Sequence, residues 1–233
     1  MPDASHLAYR HGCAGAGGMG KTSRLGSILA AENPAHVFAF DPAGQIASLL
    51  AAPLCHRRDQ LGSLVGHDAV CYSARDNPDR AAAFDQFCRD VWSLCAALPG
   101  RKFLVVDELQ EYVDPNTMPP GFWKIIDTGR WHRLDLAFTC QSLNRIHNGV
   151  RVQLTHVSAF NHTDERAAGF LLENGFPARE LAALGRGQYL TRQLIPPSPI
   201  LACDDRAGVR KPLPGQEKSK SPVLEQIFGK RTR

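Results

Sequence analysis

Short runs of consecutive apolar residues alternate along the chain with longer stretches whose apolar positions recur every three or four residues. The first pattern marks strands buried on both faces, and the second marks amphipathic helices. Their alternation predicts an α/β domain with a mainly parallel central sheet flanked by helices. A first strand over residues 7–13 runs into a glycine-rich loop. The helix beyond it sets Leu25, Ile28 and Leu29 on one face, and Asn33-Pro34 stops it. A second strand, residues 36–40, ends on Asp41-Pro42-Ala43-Gly44, and residues 69–72 form a short third. Asn77-Pro78 opens a helix with apolar positions at Phe84, Phe87, Cys88, Val91, Cys95 and Leu98, and Pro99-Gly100 ends it. Residues 102–106, 134–140 and 155–161 read as further strands. Thr163 caps the next helix, with Asp164 and Glu165 in its first turn and Asn174-Gly175 at its end. A short helix over 177–184 then leads through Gly185 and Gly187 into a last strand, 188–192.

Composition changes this picture only at the end of the chain. A hydrophobic content of 43% with 21% charged residues is that of a folded domain with a core, and 233 residues fit one domain with a tail. The longest apolar stretch, 37–55, is broken by Asp41, Pro42, Gly44 and Gln45, so no membrane-spanning segment is expected. Residues 1–12 carry Asp3, His6, Arg10 and His11 and have no signal-peptide core. Seven cysteines without a C-x-x-C pair, most within apolar runs, predict buried free thiols in a reducing compartment. No Cys/His spacing suits zinc, and no structural metal is expected. The net charge of +4 is uneven: from 206 onward eight Lys/Arg face only Glu217 and Glu225, a balance of +6. That segment also holds Pro212, Pro214, Gly215 and Pro222, a composition of flexible arms. The expected organisation is a catalytic domain over 1–203 and a flexible basic tail over 204–233. Such a tail serves either as a solubilising end or as a contact to nucleic acid or a partner.

Chemistry enters with Gly15-Ala16-Gly17-Gly18-Met19-Gly20-Lys21-Thr22, a full match to G-x-x-x-x-G-K-[ST]. The glycines Gly15, Gly17, Gly18 and Gly20 let the backbone curl so that successive N–H groups point at phosphate oxygens. The helix starting near Lys21 adds its positive dipole end. Lys21 is expected to bridge the β- and γ-phosphates of ATP, and the Thr22 hydroxyl to bind Mg²⁺. Phe103-Leu104-Val105-Val106-Asp107-Glu108 is the complementary half: a fully apolar strand that ends in two carboxylates. Asp107 is expected to hold Mg²⁺ through water, and Glu108 to polarise the attacking water. Gln141, at the end of the strand 134–140, stands where a polar residue senses the γ-phosphate or orients that water.

These motifs in this order resemble the FtsK/HerA superfamily of P-loop ATPases, with a RecA/ASCE-like fold. The resemblance is carried by the glycine loop, Asp41-Pro42-x-Gly44, the Asp107-Glu108 pair, and Arg130 leading into the strand that ends at Gln141. Leu184-Gly185-Arg186-Gly187-Gln188-Tyr189-Leu190 adds to it. It covers roughly residues 7–195 and implies a ring-forming, DNA-translocating ATPase, most often a homo-hexamer. A bare domain of this length looks most like the genome-packaging ATPases of tailless, internal-membrane bacteriophages. That likeness implies DNA and capsid or portal-vertex proteins as partners, and a place in the host cytoplasm or the virion. It also implies that Arg130, with Arg133 as substitute, reaches the neighbouring subunit's γ-phosphate as an arginine finger. The chain departs from the family where Arg-Pro often follows the strand glutamine: Ser142-Leu143 stand there, with Arg145 close by. The alternatives from other classes are a zonular-occludens-toxin-like phage assembly ATPase, a small-molecule P-loop kinase and a nucleotide-binding scaffold.

Overall fold

The computed structural model describes residues 8–57, 60, 68–162 and 164–213. Among the described residues, ten strands pair into one sheet. In chain order they are β1 (Arg10–Ala14), β2 (His36–Phe40), β3 (Leu54–Cys55), β4 (Ala69–Tyr72), β5 (Lys102–Val106), β6 (Leu134–Cys140), β7 (His156–Ala159), β8 (Gln188–Gln193), β9 (Leu201–Asp204) and β10 (Val209–Pro212). Across the sheet the order is β10-β9-β8-β7-β1-β6-β5-β2-β4-β3. From β3 to β7 every pair is parallel, and β8, β9 and β10 are added antiparallel at one side. The parallel strands therefore deliver their C-terminal ends to a single edge.

Period-two alternation divides the core between the two faces. Val37, Ala39, Phe103, Val105 and Ala137 pack with Leu25, Ile28 and Leu29 of helix α1 (Lys21–Glu32) and Ile46 of α2 (Gln45–Leu50). Phe38, Phe40, Leu104, Val106, Leu136 and Phe138 face the opposite layer. There α3 (Arg80–Ala97) contributes Phe84, Phe87, Cys88, Val91 and Cys95, the stripe that the helical spacing predicts. Helix α4 (Pro120–Thr128) adds Phe122, Ile125 and Ile126. Helices α5 (Asn148–Arg151), α6 (Glu165–Glu173) and α7 (Ala178–Ala183) complete the layer through Val150, Leu171 and Leu181. All seven cysteines are buried, as their apolar surroundings predict. No helix among the described residues is long and apolar enough to cross a membrane.

Three local expectations change. Thr163 lies outside the described residues, and the side chain capping α6 is that of Asp164, which accepts from the N–H of Arg166. The helix after Asn77-Pro78 begins at Arg80, with Asp79 accepting from the N–H of Ala82. Most consequential, β8 is not the last strand. The chain passes a proline-rich turn and returns as the β9–β10 hairpin, with Val209 opposite Asp204 and Pro212 opposite Leu201. The boundary expected between 203 and 204 thus falls inside a hairpin, and residues 204–213 belong to the sheet. Exposed β10 carries Arg210, Lys211 and Pro212 on the sheet's edge, residues that resist further pairing. Residues 214–233 lie outside the described residues.

Candidate active site

The loop after β1 has three glycines with positive φ, at Gly15 (149°), Gly18 (72°) and Gly20 (104°). At Gly15 a Cβ would also stand 2.6 Å from Cβ of Phe160, so neither the backbone nor the space admits a side chain. Gly17 and Gly18 have no heavy atom within 4 Å of a Cβ position, which leaves the hollow of the loop open. Backbone bonds fix its base: Gly15 N–H donates to Cys140 O and Ala16 N–H to Asn161 O, both at 3.1 Å. Lys21 opens α1 and is buried. Its ammonium donates to the carbonyls of Gly15 (2.8 Å) and Ala16 (3.1 Å) and lies 3.5 Å from Glu108 Oε1. A cavity of about 620 Å³ opens above the loop. Lys21, Thr22, Asp107 and Glu108 all line it, together with Gly17, Gly18 and Gly20.

The carboxylate pair is held by a residue that sequence reading passed over. Thr139, buried in β6, donates its hydroxyl to Asp107 Oδ1 and accepts from the Glu108 N–H, both at 2.8 Å. Glu108 itself adopts a left-handed conformation (φ 50°), which turns the chain out of β5. Burial pushes the Asp107 carboxyl above its ordinary value. The Thr139 bond pulls it back, while the carboxylates of Glu108 and Asp41 push it up. Gln110 donates to Glu108 Oε2 and accepts from the Gln141 N–H. Gln141 therefore stands at the same sheet edge and is tied to Glu108 through Gln110, although it does not line the cavity. Asp41 plays a local part: its two carboxylate oxygens accept from the N–H groups of Gln45 and Ala47, holding the start of α2. Gln45 in turn accepts from the Thr22 hydroxyl at 3.5 Å.

The opposite wall was not anticipated. Arg186 and Gly187, which precede β8, and Asp205 and Arg206, from the β9–β10 turn, line the same cavity. Gly187 (φ 84°) donates its N–H to Met19 O and accepts from the Asp205 N–H. Beneath them Arg24 of α1 is buried, with its guanidinium 4.9 Å from the ring centre of Tyr189 and Nε donating to Ser158. That contact fastens the helix of Lys21 and Thr22 to β7 and β8.

Arg130 and Arg133 are not brought to this edge. Both are exposed in or beside the 3₁₀ turn Gly129–His132 that precedes β6. Seven residues of β6 separate them from the cavity, about 20 Å at the rise of a strand. Arg130 lines a separate surface cavity with Arg10, Asp127, Val152 and Ile195. It cannot reach the site of its own chain. Arg145 is exposed in the turn after β6, on the side of the glycine loop.

A parallel sheet that carries a glycine loop on one strand and a carboxylate pair on another, with a single strand between them, has the architecture of a P-loop NTPase. The residues fit a nucleoside triphosphate with Mg²⁺: an open backbone hollow, a buried ammonium, and a hydroxyl and carboxylate on one cavity. No protein-family model and no curated protein matches the sequence. Among solved structures, the genome packaging NTPase B204 of Sulfolobus turreted icosahedral virus 2, in complex with sulfate, has a TM-score of 0.68 at 14% identity. The match covers 89% of this chain and 98% of that one. Its AMPPCP complex scores 0.66 at 14% identity, over 89% and 99%. The pCW3 conjugation coupling protein TcpA, solved as a monomer with ATPγS, scores 0.55 at 15% identity, over 80% of this chain and 57% of that one. The chain therefore shares its fold with a viral packaging NTPase along nearly the whole of that protein. The P-loop NTPase fold implied by the motifs is present in the backbone.

Thr139→Val keeps the side chain's shape and removes both of its bonds. The expected loss of stability at pH 7 is about 1–3 kcal/mol. Without that hydroxyl the folded-state pKa of Asp107 moves further above its unfolded value, so the folded variant holds its proton to higher pH than the unfolded chain does. The deficit relative to the parent should grow as pH rises from about 4 to 7. Urea denaturation at both pH values checks this, and a pH-independent deficit would show that Asp107 does not depend on Thr139.

Proposed function

We propose that this chain is an ATP-hydrolysing, DNA-translocating motor of the genome-packaging kind, working as a homo-oligomeric ring, most simply a hexamer. The observation that carries the reading is the pairing of Lys21 with Glu108 at the mouth of the glycine loop, on a fold matching 98% of a packaging NTPase. The loop N–H groups and Lys21 bind the phosphates of ATP, and Lys21 bridges the β- and γ-phosphates. Mg²⁺, held by Thr22 and by Asp107 through water, would neutralise charge on the same two phosphates. Glu108 accepts the proton of the attacking water, and Gln141, tied to Glu108 through Gln110, senses the γ-phosphate. The Lys21–Glu108 pair adds a coupling: phosphate competes for the ammonium, and Glu108 is then free to take its water. Soluble placement in the host cytoplasm, and docking to capsid or portal proteins, follow from the packaging role and are part of the proposal.

Lys21→Ala should abolish ATP binding, because it removes the charge that bridges the phosphates. Glu108→Gln should keep binding while turnover falls by roughly 10²–10⁴, the loss typical of a general base. Calorimetric titration and a phosphate-release assay separate the two, and parental turnover in either variant would sink the assignment. Stimulation of the parent by duplex DNA distinguishes a translocase from a kinase or a scaffold.

Arg130, exposed at the far edge beside Val152 and Ile195, can act only on a neighbouring subunit. Arg130→Ala and Glu108→Gln should each be nearly inactive alone. Mixed, they should regain part of the parental rate, since some interfaces pair an intact site with an intact arginine. Mixed rings confirmed by mass spectrometry with no recovered activity would leave Arg130 without that role.

Residues 214–233 carry five Lys/Arg against two acids, and we assign them to DNA contact. Ending the chain after Leu213 keeps the β9–β10 hairpin, so ATP hydrolysis without DNA should be retained. DNA affinity at low salt should fall, and the log–log salt slope should become shallower through fewer released counterions. An unchanged slope would exclude the DNA contact.

A further inference from the structure

The cavity wall facing the carboxylates includes Asp205 and Arg206, residues that no motif accounts for. We propose that the β9–β10 hairpin is the nucleoside-end wall of the site, with Arg206 binding the α-phosphate and Asp205 accepting from a ribose hydroxyl. This rests on the reading of the cavity as an ATP site.

The polarity of the cavity sets the argument. Lys21, Asp107 and Glu108 mark the end where the γ-phosphate lies. They stand toward β5, on one side of β1, whereas Arg186, Gly187, Asp205 and Arg206 come from the strands beyond β7 on the other. The first turn of α1 lies between. Gly187 Cα is 3.7 Å from a Cβ position at Gly20, so this second wall abuts the last turn of the phosphate loop. A triphosphate laid along the loop therefore brings its α-phosphate and sugar to the hairpin.

The two side chains are placed for those groups. Arg206 lies against Gly187, with Nε, Cγ and Cδ 3.3, 3.4 and 3.5 Å from a Cβ position there, and the residue lines the cavity. A guanidinium offers a planar fork of donors suited to phosphate oxygens. Asp205 is fixed at two points, its N–H donating to Gly187 O at 3.1 Å and its Oδ1 accepting from the Tyr189 hydroxyl at 3.0 Å. The second carboxylate oxygen is the acceptor assigned to the ribose. Tyr189 also carries Arg24 on its ring, so the hairpin and the helix of Lys21 and Thr22 share one support.

The test is isothermal titration of the full chain with ATP, ADP and 2′-deoxy-ATP, with KM and kcat measured in parallel. Arg206→Ala should weaken ATP and ADP alike by about ten- to a hundredfold, because both carry the α-phosphate, and should raise KM more than it lowers kcat. Arg206→Lys, which keeps the charge and the stem, should recover part of the affinity. The parent should prefer ATP to 2′-deoxy-ATP, and Asp205→Asn, which keeps an oxygen for Tyr189, should erase most of that preference. If the parent binds ATP but Arg206→Ala binds it within twofold, or if the parent does not distinguish the two sugars, the hairpin is not the nucleoside wall. If the parent binds no ATP, the ATP-site reading fails first, and this inference falls with it.

Discussion

The site depends on the shared register of three parallel strands. Val106 of β5 stands level with Phe138 of β6, and Phe138 with Gly12 of β1. One residue further on, Asp107, Thr139 and Cys13 lie abreast, and two residues beyond Cys13 the glycine loop begins. This is why a single hydroxyl on the middle strand can bond the Asp107 carboxylate and the Glu108 N–H while the phosphate loop opens beside them. A slip of one residue would turn Thr139 to the other face and drive apolar neighbours into water, so burial of both faces enforces the alignment. The alternation of Val37, Ala39, Phe103 and Val105 on one side with Phe38, Phe40, Leu104 and Val106 on the other supplies that enforcement.

Polar groups inside the fold do related positioning work. At the edge away from the cavity, buried Asp135 accepts from the Tyr9 N–H and from Arg101, which also reaches Glu32 at the end of α1. Arg24 holds the other end of that helix region to Ser158 and Tyr189. The first helix is thus pinned to the sheet at both ends by charged groups, each of which has a partner. An unpaired buried charge there would cost several kcal/mol, so these contacts limit how far the helix can shift when its N-terminus meets phosphate. His11, stacked on His156, bonded to Ser158 and buried, is kept neutral by desolvation. It adds packing without charge beneath the loop.

The two edges of the sheet carry different tasks. The C-terminal edge gathers the glycine loop, both carboxylates, Gln141 and the arginines of the hairpin side. The opposite edge exposes Arg130 with Val152 and Ile195. In the ring proposed above, such a division would let one copy offer a cation to the site of the next.

The sequence by itself determined the strands β2, β4, β5 and β6, the helices α1 and α3, and the phosphate-loop and carboxylate residues. Each of these is written in a local pattern, either a periodicity or a contiguous motif, and needs no knowledge of neighbours. Thr139, Gln110, Asp205 and Arg206 carry no such pattern. Their roles arise only when β6 inserts between β1 and β5, and when the chain returns through Pro196-Pro197 to build β9 and β10 against β8. Proline and charge in that stretch resemble a tail because turn residues and exposed edge strands share a tail's composition. The same holds for Arg130: the resemblance implied a reach to a neighbouring subunit, and only the length and direction of β6 decided that it lies at the edge away from its own chain's cavity. Strand order is a non-local property, set by which apolar faces bury each other, and no window of the sequence contains it.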